Sequence, residues 1–296
     1  LIDQTIFGSF FLYESNMKNG IFLFVFFLSA CQYADPVSDL AMCHSPGDPV
    51  AVFSLFANDR DFQRAHPSPV PVEGSFDGKT IEFPVEGGVN GKAYLVESER
   101  KSNKYLLLFH EWWGLNGNIK NEASLWSKEL GVNVLAIDLY DGKVATNPDD
   151  AGKMMQSNSA VRSKNIILAA THFLGEDATF ATMGWCFGGG WAFQAAMLLH
   201  DKTKACVMYY GMPEKDVEKM KALKADVLMV HATQDHWITN DIVSVFEANM
   251  KSAGKKLTVS RYDSDHAFAN PSNPHYSEAN AKAARVVVKS FLKKKF

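Results

Sequence analysis

Cysteine is scarce in this chain. Its 296 residues hold four, Cys31, Cys43, Cys186 and Cys206, and none sits at zinc-finger spacing. That argues against both a disulfide scaffold and a structural zinc site. There is no Cys-x-x-Cys pair, which counts against a redox thiol protein; that role would need Cys186 to cycle with Cys43 or Cys206. Positive charge is not in excess either. The net charge is −3 and no basic stripe stands out, so nucleic acid is not an expected partner. The terminal Lys293-Lys294-Lys295 reads as a solvated helix end, favourable to the helix dipole. Long apolar runs are also missing. The stretch Ile21 to Leu28 is wholly apolar but too short for a membrane span. Internal repeats are absent. What remains, 47% hydrophobic and 21% charged residues, describes an ordinary globular protein with room for one large α/β domain and an appendage.

The N-terminus reads as a targeting segment. Met17-Lys18-Asn19-Gly20 precedes the apolar run and Ser29-Ala30-Cys31 follows it. A short positive start, a brief apolar core and small residues make a secretory signal. Leu28-Ser29-Ala30-Cys31 resembles the bacterial lipobox, which implies cleavage before Cys31 and lipid on that cysteine. The expectation is an upstream extension and signal over residues 1–30, with Met17 as the start, and a lipidated tether over 31–73. The protein would then be exported and anchored to a cell-envelope membrane without a spanning helix. The tether is rich in Pro, Asp and Ser. It carries a short helical candidate from Val50 to Phe62, and Pro67, Pro69 and Pro71 stiffen its end. Cys43-His44 and His66 lack the tight spacing of a metal site and are read as loop and tether.

From residue 74 onward, strands alternate with helices. Lys79 to Val85 and Lys92 to Val96 flank the turn Gly87-Gly88-Val89-Asn90-Gly91 and form an opening β-hairpin. Tyr105 to Phe109, Val132 to Ile137, Thr179 to Trp185, Ala205 to Tyr210, Val227 to His231 and Leu257 to Tyr262 read as further strands. Helices are expected over Ile119 to Leu130, up to about Leu174, after the glycines at 188–190, and over Glu214 to Leu223, Asp241 to Ser252 and Ser277 to Leu292. This order predicts an α/β fold with a mostly parallel central sheet and helices on both faces. Ligands of such sheets bind at the carboxyl ends of the strands. Glu111, Cys186, Asp235 and His266 all fall at or just past such ends, on four different strands.

The centre of this pattern is Met183-Gly184-Trp185-Cys186-Phe187-Gly188-Gly189-Gly190-Trp191. A strand, a sharp turn and a helix meet at Cys186. Gly-x-Cys-x-Gly is the thiol form of the nucleophile elbow. A side chain at Gly184 or Gly188 would collide with the neighbouring strand or helix. The helix terminus is expected to lower the thiol pKa and to offer backbone N–H groups to an oxyanion. A small buried cysteine with packing glycines is the plainer reading of the same residues. The chain order nucleophile, acid, histidine fits Cys186, Asp235 and His266. His266 would shuttle the proton and Asp235 would hold its tautomer. Asp263 and Asp265 share the loop of His266 and reach its far nitrogen less well. Asp235 also suits a helix N-cap before Trp237.

Five segments together resemble the dienelactone hydrolase family of α/β-hydrolases. They are His110-Glu111-Trp112-Trp113-Gly114-Leu115-Asn116, Gly184-Trp185-Cys186-Phe187-Gly188-Gly189, Tyr209-Tyr210-Gly211, Gln234-Asp235-His236 and His266-Ala267-Phe268-Ala269. They stand in the family's order and span roughly Gly74 to Phe296. The resemblance implies a Cys186-Asp235-His266 triad and a Glu111 that contacts the resting thiol and shifts when substrate binds. It also implies an oxyanion hole made of the backbone N–H groups of Phe187 and Trp112, and no metal or organic cofactor. A carboxylate beside a thiol keeps it protonated and unreactive.

The substrate side departs from the family. Its dienelactone-cleaving members grip a carboxylate with arginines, one just after the catalytic histidine, where this chain has Asn270. Arg162 is the candidate replacement. Trp112, Trp113, Phe187, Tyr209 and Phe268 suggest an aromatic-walled, largely apolar cleft. The expected activity is hydrolysis of a carboxylic ester or lactone through a thioester acyl-enzyme. The alternative is a catalytically silent lipoprotein that binds a small molecule on the same fold.

Overall fold

The computed structural model describes residues 49–72 and 76–296. The targeting segment, Met17, Cys31 and Cys43-His44 lie outside the described residues. Among the described residues, no helix is long and apolar enough to cross a membrane.

The chain enters through α1 (Pro49–Ser54), a 3-10 turn over Leu55–Asn58, and α2 (Arg60–Ala65). Asp59 caps α2 by accepting from the N–H groups of Asp61 and Phe62. Composition makes residues 49–66 part of a tether, and the structure differs. Val50, Phe53, Ala57 and Phe62 are buried in the main hydrophobic core. Val50 and Phe53 come from α1, Ala57 from the 3-10 turn and Phe62 from α2, and burying these apolar side chains outweighs the polar composition around them.

Eight strands come next, β1 (Lys79–Phe83), β2 (Gly91–Val96), β3 (Lys104–Phe109), β4 (Asn133–Asp138), β5 (Thr179–Trp185), β6 (Thr203–Tyr209), β7 (Asp226–Ala232) and β8 (Leu257–Tyr262). They form one sheet in the order β1-β2-β4-β3-β5-β6-β7-β8. The β1–β2 and β2–β4 pairs are antiparallel and the other pairs are parallel. All residues of β4 and nearly all of β5 and β7 are buried. This is why they read as continuous apolar runs: helices cover both faces of the sheet. The edge strand β8 is only partly covered.

The helices are α3 (Gly117–Leu130), α4 (Pro148–Ser157), α5 (Ala160–Phe173), α6 (Phe187–Leu198), α7 (Val217–Met220), α8 (Asn240–Ser252) and α9 (Glu278–Lys295). The single helix expected up to Leu174 is two. Asn158 breaks it by donating from Nδ2 to the Leu139 carbonyl, and Ser159 then caps α5. The helix expected over Glu214 to Leu223 shrinks to α7. Buried Glu214 accepts the N–H groups of Lys215 and Asp216, and Asp216 caps α7. These side-chain acceptors compete with the helix backbone for the same donors. Lys293, Lys294 and Lys295 lie in the last turn of α9.

From β3 the chain crosses to β4 on one side, then returns to lay β5 on the other side of β3. The carboxyl ends of β3 and β5 therefore flank a topological switch point, where a crevice opens in sheets of this kind. Glu111 follows β3 and Cys186 follows β5.

Candidate active site

Cys186 sits at φ 57°, ψ −121°, immediately before α6. A non-glycine residue held there stores about 1–3 kcal/mol of strain. The surroundings enforce it: Cys186 N–H donates to the Tyr209 carbonyl at 3.0 Å, and Gly189 N–H closes on the Cys186 carbonyl at 3.0 Å. A Cβ on Gly188 would strike the Phe109 and His110 carbonyls at the end of β3, and one on Gly184 would strike the Gly188 carbonyl. Both glycines are thus required by close approach.

The thiol is fully buried. Burial first, and the nearby Glu111 carboxylate second, push its pKa well above the ordinary value. The backbone N–H groups of Phe187 and Trp112 favour the thiolate and oppose that shift. The helix terminus therefore acts in the expected direction, but it is outweighed, and the resting thiol stays protonated.

His266 lies in the loop after β8. Its Nδ1 donates to Asp235 Oδ2 at 2.6 Å. Asp235 Oδ1 accepts from the N–H groups of Trp237 and Ile238, each at 2.9 Å, so the carboxylate caps the local turn and orients the imidazole at once. Burial raises the Asp235 pKa, but His266 and these donors outweigh it and hold it below its ordinary value. Nε2 of His266 has no hydrogen-bond partner among the described residues. Asp263 and Asp265 are occupied elsewhere: Asp263 accepts from Gln234, and Asp265 pairs with His275.

Glu111 Oε2 accepts from Asn270 Nδ2 at 2.6 Å. Burial pushes its carboxyl up to about 7, against the pull of His266 and Asn270. Glu111 also forms the inner end of a cavity of about 270 Å³, whose wall includes Ile119, Trp185, Tyr209, Asn270 and Arg285. Neither Cys186 nor His266 lines that space. Glu111 is thus the residue that both lines the cavity and acts on the thiol.

The expected pocket residues divide. Tyr209, stacked on Trp185 at 5.5 Å between ring centres, and Asn270 line the cavity. Asn270 does not take the place of a substrate clamp, because its amide is spent on Glu111 and on Ser272. Trp113 packs on Trp112, and Phe268 packs between Tyr210 and Tyr262; both are core. Arg162 is not part of the site. Its guanidinium binds Asp141 and the Val89 carbonyl beside the opening hairpin.

Sequence reasoning missed the N-terminal contribution. Phe53, Phe62, His66, Trp237 and Tyr210 ring the His266 imidazole at centre distances of 4.9–6.3 Å. His66 is buried, and one ligand atom each of His66, Cys186 and His266 lies within 4.8 Å of the others. The signal was present as Phe62 and His66, four residues apart, Phe62 within α2 and His66 at its C-cap.

Residues 92–296 match the family model described as the dienelactone hydrolase family. The protein usf of Aquifex pyrophilus is 30% identical over 205 residues, covering 65% of this chain and 87% of the relative. A carboxymethylenebutenolidase of a Pseudomonas species is 25% identical over 234 residues, covering 72% of this chain and 94% of the relative. Among solved structures, a dienelactone hydrolase-like promiscuous phosphotriesterase from metagenomic libraries superposes with a TM-score of 0.66 at 17% identity, over 75% of this chain and all of that one. An esterase of Pyrococcus furiosus superposes with a TM-score of 0.57 at 15% identity, over 77% of this chain and 97% of that one.

Proposed function

Because the chain belongs to the dienelactone hydrolase family, we propose that it hydrolyses a carboxylic ester or lactone with Cys186 as nucleophile, His266 as base and Asp235 as orienting acid. The observation that carries this reading is the Asp235–His266 hydrogen bond, which leaves Nε2 of a buried imidazole unpartnered beside a buried thiol.

In the proposed cycle, substrate enters the cavity and displaces the Glu111 carboxylate. With that negative charge gone, His266 Nε2 takes the thiol proton. The thiolate attacks the carbonyl carbon, forming a C–S bond, and the carbonyl oxygen takes the displaced electron pair. In this reading the N–H groups of Phe187 and Trp112, which favour negative charge on the sulfur, turn to hold that oxyanion. Collapse expels the alkoxide, which takes the proton back from His266. Water, deprotonated by the same imidazole, then attacks the thioester, releases the acid and returns the proton to sulfur.

Two cations stand in the cavity wall. Lys282 pairs with Glu278, and Arg285 binds Glu129 through Nε and Glu122 through Nη1, while its buried Nη2 has no partner among the described residues, which leaves one N–H donor for a polar group of the substrate. The relative named carboxymethylenebutenolidase supports a lactone among the substrates to screen. The test is turnover of small aryl esters and lactones by the wild type and Cys186→Ala. Loss of all turnover in the variant, with an acyl adduct on Cys186 seen by mass spectrometry, is expected; full retained activity sinks the assignment.

Export and lipid attachment at Cys31 belong to the same proposal and rest on the Leu28-Ser29-Ala30-Cys31 motif. Labelling by a palmitate analogue is expected to vanish in Cys31→Ala, and unchanged labelling refutes it.

A further inference from the structure

Two imidazoles and a thiol meet in the closed interior of this protein, and their hydrogen bonds do not balance. His66 Nδ1 contacts the Phe62 carbonyl oxygen at 2.7 Å. A carbonyl only accepts, so Nδ1 carries the proton and Nε2 presents a bare lone pair. His266 Nδ1 is likewise spent on Asp235 Oδ2, so its Nε2 also presents a lone pair. Neither Nε2 has a hydrogen-bond partner among the described residues. Both residues and Cys186 are at least 97% buried. The thiol has one proton to give, and the two imidazoles beside it each carry a buried, unpartnered Nε2. One of them must remain unsatisfied, which costs about 1–3 kcal/mol in such an interior.

A metal ion resolves the imbalance. From these observations we infer that His66, Cys186 and His266 form a three-ligand site for a borderline-soft divalent ion of the zinc type, seated over the nucleophile. The donor set is one sulfur and two imidazole nitrogens, which favours zinc-like ions over the oxygen-seeking magnesium and calcium. The outer partners also fit. Metal-bound histidines donate their second N–H to a carboxylate or a backbone carbonyl, and here one goes to Asp235 and the other to the Phe62 carbonyl. One ligand atom from each residue lies within 4.8 Å of the other two. Tetrahedral zinc needs about 3.3–3.6 Å between ligand atoms, so modest side-chain adjustment closes the set and leaves a fourth position for water. Binding exchanges the thiol S–H bond for a sulfur–metal bond and releases that proton to solvent.

His66 comes from the helical entry segment, outside the matched residues 92–296. An ion so placed ties up both the proposed nucleophile and its base, and the protein is held inactive until the ion leaves. That consequence rests on the hydrolase reading; the site itself rests on geometry alone.

The experiment uses the full-length, reduced, chelator-treated protein, titrated with Zn²⁺ and with Co²⁺ as a coloured stand-in. One equivalent should bind, with release of a proton and a thiolate-to-cobalt charge-transfer band, and X-ray absorption of the zinc form should report one sulfur and two imidazole nitrogens. Losing an outer partner alone costs about 10–100-fold in metal affinity, so losing the ligand in His66→Ala or His66→Gln should cost about 100-fold or more. No binding by the wild type, a coordination shell without sulfur, or equal affinity in both variants overturns the proposal. The two readings fail separately. A protein that binds zinc through one sulfur and two nitrogens yet hydrolyses nothing keeps the site and loses the hydrolase. An active esterase indifferent to zinc loses the site and keeps the hydrolase.

Discussion

Asn270 donates from Nδ2 to Oε2 of Glu111 at 2.6 Å, joining the loop after β8 to the turn after β3 across 159 residues of chain. Its orientation is fixed from the other side, because Oδ1 accepts both the N–H and the Oγ–H of Ser272. The amide therefore holds the carboxylate that lines the cavity and raises the pKa of the thiol. Asn270→Ala removes a donor from a buried carboxylate. At pH 8, where Glu111 is ionised, the variant should lose about 1–3 kcal/mol of stability, and at pH 5 nearer 1 kcal/mol. Denaturant unfolding at the two pH values checks this. An equal loss at both would mean that Asn270 serves its own loop and not the carboxylate.

Glu111 itself predicts a pH dependence of stability. Burial lifts its carboxyl from an ordinary 4.5 to about 7. Between those values the folded protein holds a proton that the unfolded chain has released. The contribution is fully present below pH 4.5 and is lost as pH rises through 7, amounting to about 3 kcal/mol at most. Glu111→Gln keeps an acceptor for Asn270 and removes the titration. Its stability relative to wild type should rise from pH 4.5 to 7 and level off above. Parallel curves for the two proteins over that range would show that the carboxyl does not titrate in the way its burial demands.

Particular residues explain what the sequence made legible. Cys186 was visible because the turn that holds it needs glycine at Gly184 and Gly188, where any Cβ meets a backbone carbonyl. The parallel strands were visible because burial on both faces leaves runs such as Tyr105 to Phe109 without alternation. The fate of Arg162 was not visible. Its partners Asp141 and Val89 sit on loops 21 and 73 residues away, and only the sheet order brings them together. The entry segment was misjudged for a related reason. Pro, Asp and Ser dominate its composition, while four buried side chains decide where it goes.

Asp235 has two tasks that one substitution separates. Its Oδ1 caps the turn through Trp237 and Ile238, and its Oδ2 orients His266. Asp235→Asn retains a carbonyl oxygen able to serve the cap, but its amide nitrogen faces the imidazole and favours the wrong tautomer. Turnover of an aryl ester should fall by about 10³–10⁴-fold, while the change in stability stays within about 2 kcal/mol. Steady-state kinetics and thermal melting measure the two effects. Turnover within tenfold of wild type would remove Asp235 from the proposed mechanism and leave it as a cap.

Phe62 links the entry segment to the reacting groups. It is fully buried, and its ring lies 5.0 Å from Trp112, 5.1 Å from Trp237 and 6.0 Å from His266, edge-on in each case. Truncating a buried phenylalanine costs about 3–5 kcal/mol when the structure must keep the void. Here a second outcome is open to test, because α1 and α2 lie outside the sheet and local opening of such a peripheral unit is a common alternative to global unfolding. If α1 and α2 open in this way, Phe62→Ala spends that energy on local opening and exposes Cys186. A shift of about 3 kcal/mol raises the open population by roughly 100-fold, and alkylation of Cys186 by iodoacetamide should accelerate accordingly, with global unfolding moved less than the full cavity cost. The rate of labelling, followed by mass spectrometry beside denaturant unfolding, distinguishes the outcomes. A full loss of global stability without faster labelling would mean that the segment unfolds only with the whole domain and does not control access to the thiol.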